Sequence, residues 1–130
     1  MNRTTYGLDI AKNVMQLHWV DNESGEIGRK KLGRAKLSDF FARLQPARVV
    51  MEACGSAHHW ARALLAVGLD ARIVSAHLAA PYRAEGHCGK NDANDAAAIC
   101  EAASRPHMRF DPVKSIEQQS LLCVHRLREG

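Results

Sequence analysis

Four carboxylates stand where residues of another type are more usual. Asp9 interrupts the apolar stretch GLDIA, although strands are depleted in aspartate. Glu52 follows the apolar run VVM, at the predicted carboxyl end of a strand, where ligands gather in α/β sheets. Asp92 and Asp95 are three residues apart at a predicted helix start, so they share one face of that helix.

Each carboxylate has an ordinary explanation when it is considered alone. Asp9 and Glu52 could simply face solvent, and aspartates in a first helical turn complement the helix dipole. The combination is more specific, because one strand aspartate, one strand-end glutamate and two helix aspartates form the set that ribonuclease-H-like nucleases use. We therefore expect these four side chains to converge at one edge of a sheet.

Such a group of carboxylates predicts a metal-dependent site. Four negative charges at one edge would repel one another, and divalent cations would remove that repulsion. Hard oxygen ligands suit Mg²⁺, or Mn²⁺ in its place, and phosphate oxygens complete the coordination. Two such ions roughly 3.5–4 Å apart would hold the attacking and leaving oxygens of a phosphoryl displacement. Asp9, Glu52, Asp92 and Asp95 are thus the predicted catalytic and metal-binding residues.

The elements that would position these residues follow from hydrophobic periodicity. Alternating apolar residues predict strands at about 4–11 and 14–20. The turn-forming residues at 21–25 predict a hairpin to a third strand at 26–32, so the three strands form an antiparallel meander. Leu37, Phe40, Phe41 and Leu44 have helical spacing, and Pro46 ends that helix. A strand is predicted at 47–51, followed by a helix that Ser56 can cap, that Gly68 ends as its C′ residue, and that has Trp60, Ala63, Leu64 and Val67 on one face. The remaining elements predicted are a strand at 69–75, a short helical piece after 76, a helix from 91 or 92 to 104, and a last helix at 116–128 that Ser115 opens.

This order predicts an α/β protein with a ribonuclease-H-like, or RuvC-like, fold: a mixed five-stranded sheet with helices on its faces. A sugar-kinase or actin ATPase half-domain starts with a similar meander. That alternative needs a glycine-rich phosphate loop after the first strand, and residues 9–13 (DIAKN) contain no glycine. The nuclease-like fold is therefore preferred.

Composition is compatible with this interpretation. A chain of 130 residues with 46% hydrophobic and 25% charged residues is typical of one globular domain. It shows neither a transmembrane stretch nor a signal peptide, and its four cysteines form no CxxC pair, so we expect reduced thiols and a cytoplasmic protein without a membrane partner. The net charge of +4 permits an anionic partner such as DNA but does not demand one.

Several other polar residues have two interpretations. The spacing of Cys54, His58, His59, His87 and Cys88 matches no common zinc motif, and we treat them as ordinary residues. His58, His59 and Lys90 could contact phosphate or simply be solvated. The densest basic run could bind phosphates or merely protect a strand edge, and it comprises Arg29, Lys30, Lys31, Arg34 and Lys36.

Three segments resemble a known family. GLDIAKNVMQLHWVD, VVMEACGSAHHWARAL and GKNDANDAAAI are similar to the N-terminal domain of the DEDD-type insertion-sequence transposases, which are relatives of the Piv DNA invertases. The resemblance extends from Tyr6 through LLCVHRLRE. It implies a RuvC-like domain whose Asp-Glu-Asp-Asp tetrad falls on Asp9, Glu52, Asp92 and Asp95.

The resemblance also implies a role in DNA transposition or site-specific recombination, with Mg²⁺-dependent phosphodiester cleavage and strand transfer. Residues 1–110 would be the catalytic domain and 111–130 the start of a helix leading to a second domain with a catalytic serine. DNA would be the partner, with a structured guide RNA and homo-oligomerisation in the full-length family. The alternative is a catalytically silent module that binds nucleic acid or dimerises.

Overall fold

Five strands form one sheet in the order β3-β2-β1-β4-β5. The computed structural model describes residues 4–10, 14–21, 23–44, 46–82, 92–118 and 120, without the side chains of residues 92–94. The strands are β1 (Thr4–Ile10), β2 (Val14–Val20), β3 (Ile27–Gly33), β4 (Ala47–Glu52) and β5 (Asp70–Val74). The helices are α1 (Arg34–Ala42), α2 (Ala57–Ala66), α3 (Ala76–Ala79) and α4 (Asp92–Ala103), and a 3₁₀ turn spans Ala80–Tyr82.

The sheet is mixed, as the sequence predicts. β1 pairs with β2, and β2 with β3, in antiparallel register, which makes the meander. β1 pairs with β4, and β4 with β5, in parallel register. The predicted mixed five-stranded α/β sheet with helices on its faces is confirmed, and its strand order is consistent with a ribonuclease-H-like fold.

The helices lie on opposite faces of the sheet. Leu37 and Phe41 of α1, Trp60 and Leu64 of α2 and Leu8 of β1 belong to the main hydrophobic core. On the other face, α3 and α4 form a smaller apolar cluster that consists of Val50, Val74, Ala79, Ile99, Ala102 and Ala103. We call these two sides the α1/α2 face and the α4 face.

Two local details of α2 differ from the sequence prediction. Ser56 stands at the N-cap position, but its backbone is helical and its side chain makes no capping hydrogen bond. Gly68 follows the helix with φ +93°, as a C′ glycine should. Val67 is the C-cap residue and is exposed, so its predicted place on the buried face is wrong. Val67 lies past the last residue of the helix, so helical spacing no longer places its side chain on the buried face.

The segment after α4 packs beside β5, near the carboxyl end of that strand. Asp111 forms an isolated antiparallel bridge with Ile73 of β5, and Val113 packs against the main core. Ser115 and Gln118 exchange hydrogen bonds, since each side chain accepts from the other residue's backbone N–H. This capping box opens a helical turn at 116–118, where the sequence predicts the last helix to begin. Residues 119 and 121–128 of that predicted helix lie outside the described part.

Candidate active site

Asp9 and Glu52 lie side by side at the carboxyl ends of the two central parallel strands. Leu8 of β1 is paired with Met51 of β4, so Asp9 and Glu52 are the next residues along the two strands. Side chains alternate along a strand, and Leu8 and Met51 both belong to the core on the α1/α2 face. Asp9 and Glu52 are therefore both on the α4 face, and both are partly buried.

Helix α4 runs antiparallel to β1 and begins over the same end of the sheet. The Cys100 thiol donates a hydrogen bond to the Thr5 carbonyl, at 3.6 Å, near the start of β1. One helical turn earlier, the Ala96 carbonyl contacts Gly7. One further turn toward the N-terminus of α4 is its first turn, which contains Asp92 and Asp95. This turn therefore lies toward the Asp9 end of β1.

Gly7 makes this close approach possible. A Cβ atom at Gly7 would lie 2.7 Å from the Cys100 backbone nitrogen and closer still to the Ala96 carbonyl oxygen. Any side chain would therefore push α4 off the sheet. Ala96 and Ala98 of α4 are themselves buried, and their small size is consistent with the short distance between helix and sheet. The glycine two residues before Asp9 thus sets where the α4 aspartates lie, a role that the sequence analysis missed.

The structure describes the side chains of three of the four predicted site residues. Asp9, Glu52 and Asp95 are partly buried residues that all take part in polar or electrostatic interactions. Asp92 is the first residue of α4, and its side chain is outside the described part. Among the described side chains, no group of three or more His, Cys, Asp or Glu residues is arranged to hold a metal ion. The backbone thus brings the four positions to one end of the sheet, and the ligand set itself stays a prediction.

The α4 face carries further polar residues on the same rows of the sheet. Gln16 is paired with Asp9, and His18 is paired with Gly7. His18 is only 8% exposed, and its Nδ1 atom lacks a hydrogen-bond partner within the described structure. Burial lowers the pKa of His18, and the Arg29 guanidinium lowers it further, against a smaller opposing effect of Glu101. Burial and Arg29 therefore favour the neutral form of His18 at the edge of the candidate site.

At the opposite end of the same face, the charges are paired. Asp70 lies between two guanidinium groups, at 3.1 Å from Arg48 Nε and 3.2 Å from Arg72 Nε. Desolvation acts to raise the pKa of Asp70, but the hydrogen bonds from Arg72 and Arg48 outweigh it and hold that pKa below its usual value. Arg72 also stacks over the Phe110 ring, with 5.0 Å from its Cζ atom to the ring centroid.

His58 and His59 do not behave as a pair. The imidazole Nδ1 of His58 accepts a 3.0 Å hydrogen bond from the Lys114 backbone N–H, and Arg62 donates to the Lys114 carbonyl. His59 is exposed, and its ring meets Trp60 edge-on. His58 therefore ties the segment after α4 to α2, a structural role that no sequence signal indicates. Lys90, His87 and Cys88 lie outside the described residues.

The basic run is divided between the two faces. The Lys30 ammonium lies 4.9 Å from the Phe40 ring centroid on the α1/α2 face. Arg29 and Lys31 flank Lys30 in β3 and so project from the α4 face, where both are exposed. Arg34 begins α1, with its Cζ atom 5.9 Å from the Trp60 ring.

Among the described residues, no helix is long and apolar enough to cross a membrane.

Comparison with known proteins identifies the family. The model of a transposase family, the DEDD transposases of the IS110 type, matches residues 6–130. The chain belongs to this family. This match over nearly the whole chain confirms the predicted resemblance. The matched range contains positions 9, 52, 92 and 95.

Individual IS110-type relatives support the assignment. The chain is 51% identical over 98% of its length to a Pseudomonas aeruginosa protein named "Probable family 20 transposase". It is 41% identical over 95% of its length to the transposase for insertion sequence element IS1111A of Coxiella burnetii. It is 35% identical over 99% of its length to the transposase for insertion sequence element IS1328 of Yersinia enterocolitica. The chain spans 37%, 33% and 38% of these relatives, respectively, or about a third of their length.

Proposed function

We propose that this chain forms the carboxylate site of a DNA transposase, which cleaves DNA phosphodiester bonds with Mg²⁺ or Mn²⁺ as cofactor. The observation that supports this most directly is the placement of Asp9 and Glu52 side by side on adjacent parallel strands. The contacts of Cys100 with Thr5 and of Ala96 with Gly7 direct the first turn of α4 toward the same end of β1. Membership of a transposase family supports DNA as the substrate.

The residue types fit a hard divalent cation. Asp9, Glu52, Asp92 and Asp95 would offer only carboxylate oxygens, which Mg²⁺ and Mn²⁺ prefer over nitrogen or sulfur. When bound, two such ions would activate the attacking oxygen and stabilise the leaving one. The chain would orient the scissile phosphate against the carboxyl ends of β1 and β4. The hydrophobic packing of α4 would limit water at the back of the site.

Residues 1–110 would constitute this catalytic domain, and residues 111–130 would lead into a connecting helix through the helical turn that begins at 116. We propose that strand transfer also uses the serine implied by the family resemblance, which falls outside the 130 residues. A guide RNA and homo-oligomerisation belong to the same proposal. A silent nucleic-acid-binding or dimerisation module is the alternative, and the two measurements below distinguish it from the proposed site.

Metal binding to the purified chain tests the proposal. A metal that binds only the folded protein should stabilise it by about 2.7 kcal/mol at 100 times its Kd. We expect millimolar Mn²⁺ to raise the Tm of the wild type and to leave that of Asp9→Asn unchanged. Asp39→Asn, which removes an exposed carboxylate from α1, is the matched control and should respond as the wild type does.

Nicking of supercoiled DNA in the presence of Mn²⁺ provides the second measurement. We expect Asp9→Asn and Asp95→Asn to abolish any metal-dependent nicking by the wild type. If Mn²⁺ does not shift the Tm of the wild type and no nicking occurs, the silent module is the better description. Nicking that persists in both variants would remove these residues from the site.

A further inference from the structure

Arg29 and Lys31 are separated from the rest of the basic run by the pleat of β3. Leu32 is buried against Met15 on the α1/α2 face, and Lys30 lies over Phe40 on that same face. Alternation therefore places Arg29 and Lys31 together on the α4 face. The two residues are two positions apart, which corresponds to about 6.7 Å along the strand.

These two cations share rows of the sheet with the candidate site. Lys31 is paired with Gln16, and Gln16 is paired with Asp9, so the three residues form one row across β3, β2 and β1. Neighbouring strands are about 4.8 Å apart, which puts the Lys31 and Asp9 Cα atoms about 10 Å from each other. Arg29 occupies the next row on that face, with His18 and Gly7.

The charges of Arg29 and Lys31 are uncompensated within the described part of the chain. Three other arginines on the α4 side have carboxylate partners: Arg48 and Arg72 bind Asp70, and Arg105 binds Glu101. Neither Arg29 nor Lys31 forms an ion pair among the described residues, and both side chains are exposed. Helix α4 packs on β1, β2 and β4, which leaves this outer strip of the face open to solvent.

We propose that Arg29 and Lys31 bind the phosphate backbone of the DNA strand whose scissile phosphate lies at Asp9 and Glu52. The inference rests on the proposed function and adds the direction of the strand's path, from the carboxyl ends of β1 and β4 across Gln16 to β3. Two exposed cations bind a single small anion weakly because water screens each contact. A polyanion instead gains from counterion release at every contact.

The alternating pleat supplies a matched control for this proposal. Arg29→Gln/Lys31→Gln removes two charges from the α4 face, whereas Lys30→Gln/Lys36→Gln removes two from the other side of the same region. Both double variants have the same net charge. A difference between them therefore measures position and not overall electrostatics.

The experiment measures binding of the purified chain to a fluorescent DNA duplex at several salt concentrations in EDTA, so that it does not depend on the metal site. Each phosphate contact contributes about 0.9 to the slope of log K against log salt. We expect Arg29→Gln/Lys31→Gln to reduce that slope by about 1.8 and to weaken binding roughly tenfold or more at low salt. Lys30→Gln/Lys36→Gln should change the slope much less, and Arg29→Lys/Lys31→Arg should retain it.

Equal losses in the two double variants, or none in either, would overturn the inference. So would RNA that binds more tightly than DNA with the same dependence on Arg29 and Lys31, because the strip would then serve RNA. Failure of the proposed function is seen separately, as the absence of a Mn²⁺-induced Tm shift. Unchanged circular dichroism spectra of all variants establish that the fold is intact.

Discussion

The α1/α2 face and the α4 face of the same sheet are built from different side chains. On the α1/α2 face, large residues such as Leu8, Leu17 and Phe41 are almost completely buried and interlock with two helices. On the α4 face, a glycine and several alanines bring one helix close, and carboxylates and cations surround the contact. The difference indicates that stability comes mainly from the first face, while the second places chemical groups.

The largest expected effect on stability is on the α1/α2 face. Phe41 is 1% exposed and meets the Tyr6 ring edge-on, with 6.5 Å between the centroids. Phe41→Ala should lower the free energy of unfolding by about 3–5 kcal/mol, because it removes buried area and leaves a cavity. Urea denaturation measures this change. A loss below about 1 kcal/mol would mean that this face is not the main source of stability.

On the α4 face, we expect a substitution to destabilise the protein less than Phe41→Ala does but to distort the candidate site more. Gly7→Ala forces an added methyl group into the backbone of α4, and overpacking of this kind costs about 1–3 kcal/mol. Because α4 carries Asp92 and Asp95, the Mn²⁺-induced Tm shift should also disappear. Gly33→Ala is the control, since nothing lies within 4 Å of a Cβ there. If Gly7→Ala behaves like Gly33→Ala in both measurements, α4 is not held against β1 as described.

The free energy of unfolding should depend on pH through His18, the buried histidine of the α4 face. The pKa of His18 is lowered in the folded protein, so the folded state resists protonation more than the unfolded state does. The stability associated with neutral His18 is complete above the unfolded pKa of about 6.5 and is lost as the pH falls below it. Denaturation at pH 7.5 and at pH 5.5 measures the loss, which His18→Gln should reduce.

His58 allows the same measurement on α2. Its pKa is lowered by burial and then by Lys114 and Arg62, so its contribution has the same sign. His58→Gln should reduce the pH dependence less, because His18 is more buried and His58 only partly so. A larger reduction in His58→Gln than in His18→Gln would contradict this ranking.

The smallest expected effect concerns the paired charges on the α4 face. The pKa of Asp70 is lowered in the folded state, so its contribution is present above about pH 3.9 and is lost as the pH falls further. Both arginine partners are partly exposed, and such pairs contribute less than about 1 kcal/mol. Asp70→Asn should therefore change the free energy of unfolding at pH 7 only slightly. A loss above about 2 kcal/mol would show that this end of the face also supports the fold.

The sequence predicts the α1/α2 face better than the α4 face, for a physical reason. Large apolar residues such as Leu37 and Phe41 recur with a period that reports which side is buried. Gly7 and Ala96 carry no such signal, because their importance lies in a contact between two segments far apart in the chain. The carboxylates are conspicuous by type, but their distances depend on that same long-range contact.

The basic run shows a related limit. Along the sequence, Arg29, Lys30 and Lys31 form one cluster, but in β3 the pleat sends Lys30 to the opposite side. The predicted strand already contains this alternation, and combining it with the buried Leu32 would have separated the three residues. The His58–Lys114 hydrogen bond has no comparable signal, since it joins a helix to an irregular segment 56 residues away.

The position of α4 also has a kinetic consequence. The hydrogen bond from Cys100 to Thr5 closes a loop of 95 residues, whereas β1, β2 and β3 pair through short connections. Contacts with such a long sequence separation form slowly, because the entropy of closing the loop must be lost first. We therefore expect the meander to assemble early and α4 to dock late in folding. The α4 aspartates would then reach the ends of β1 and β4 only in the final step. We therefore expect a newly synthesised chain to complete its acidic site after the sheet has formed.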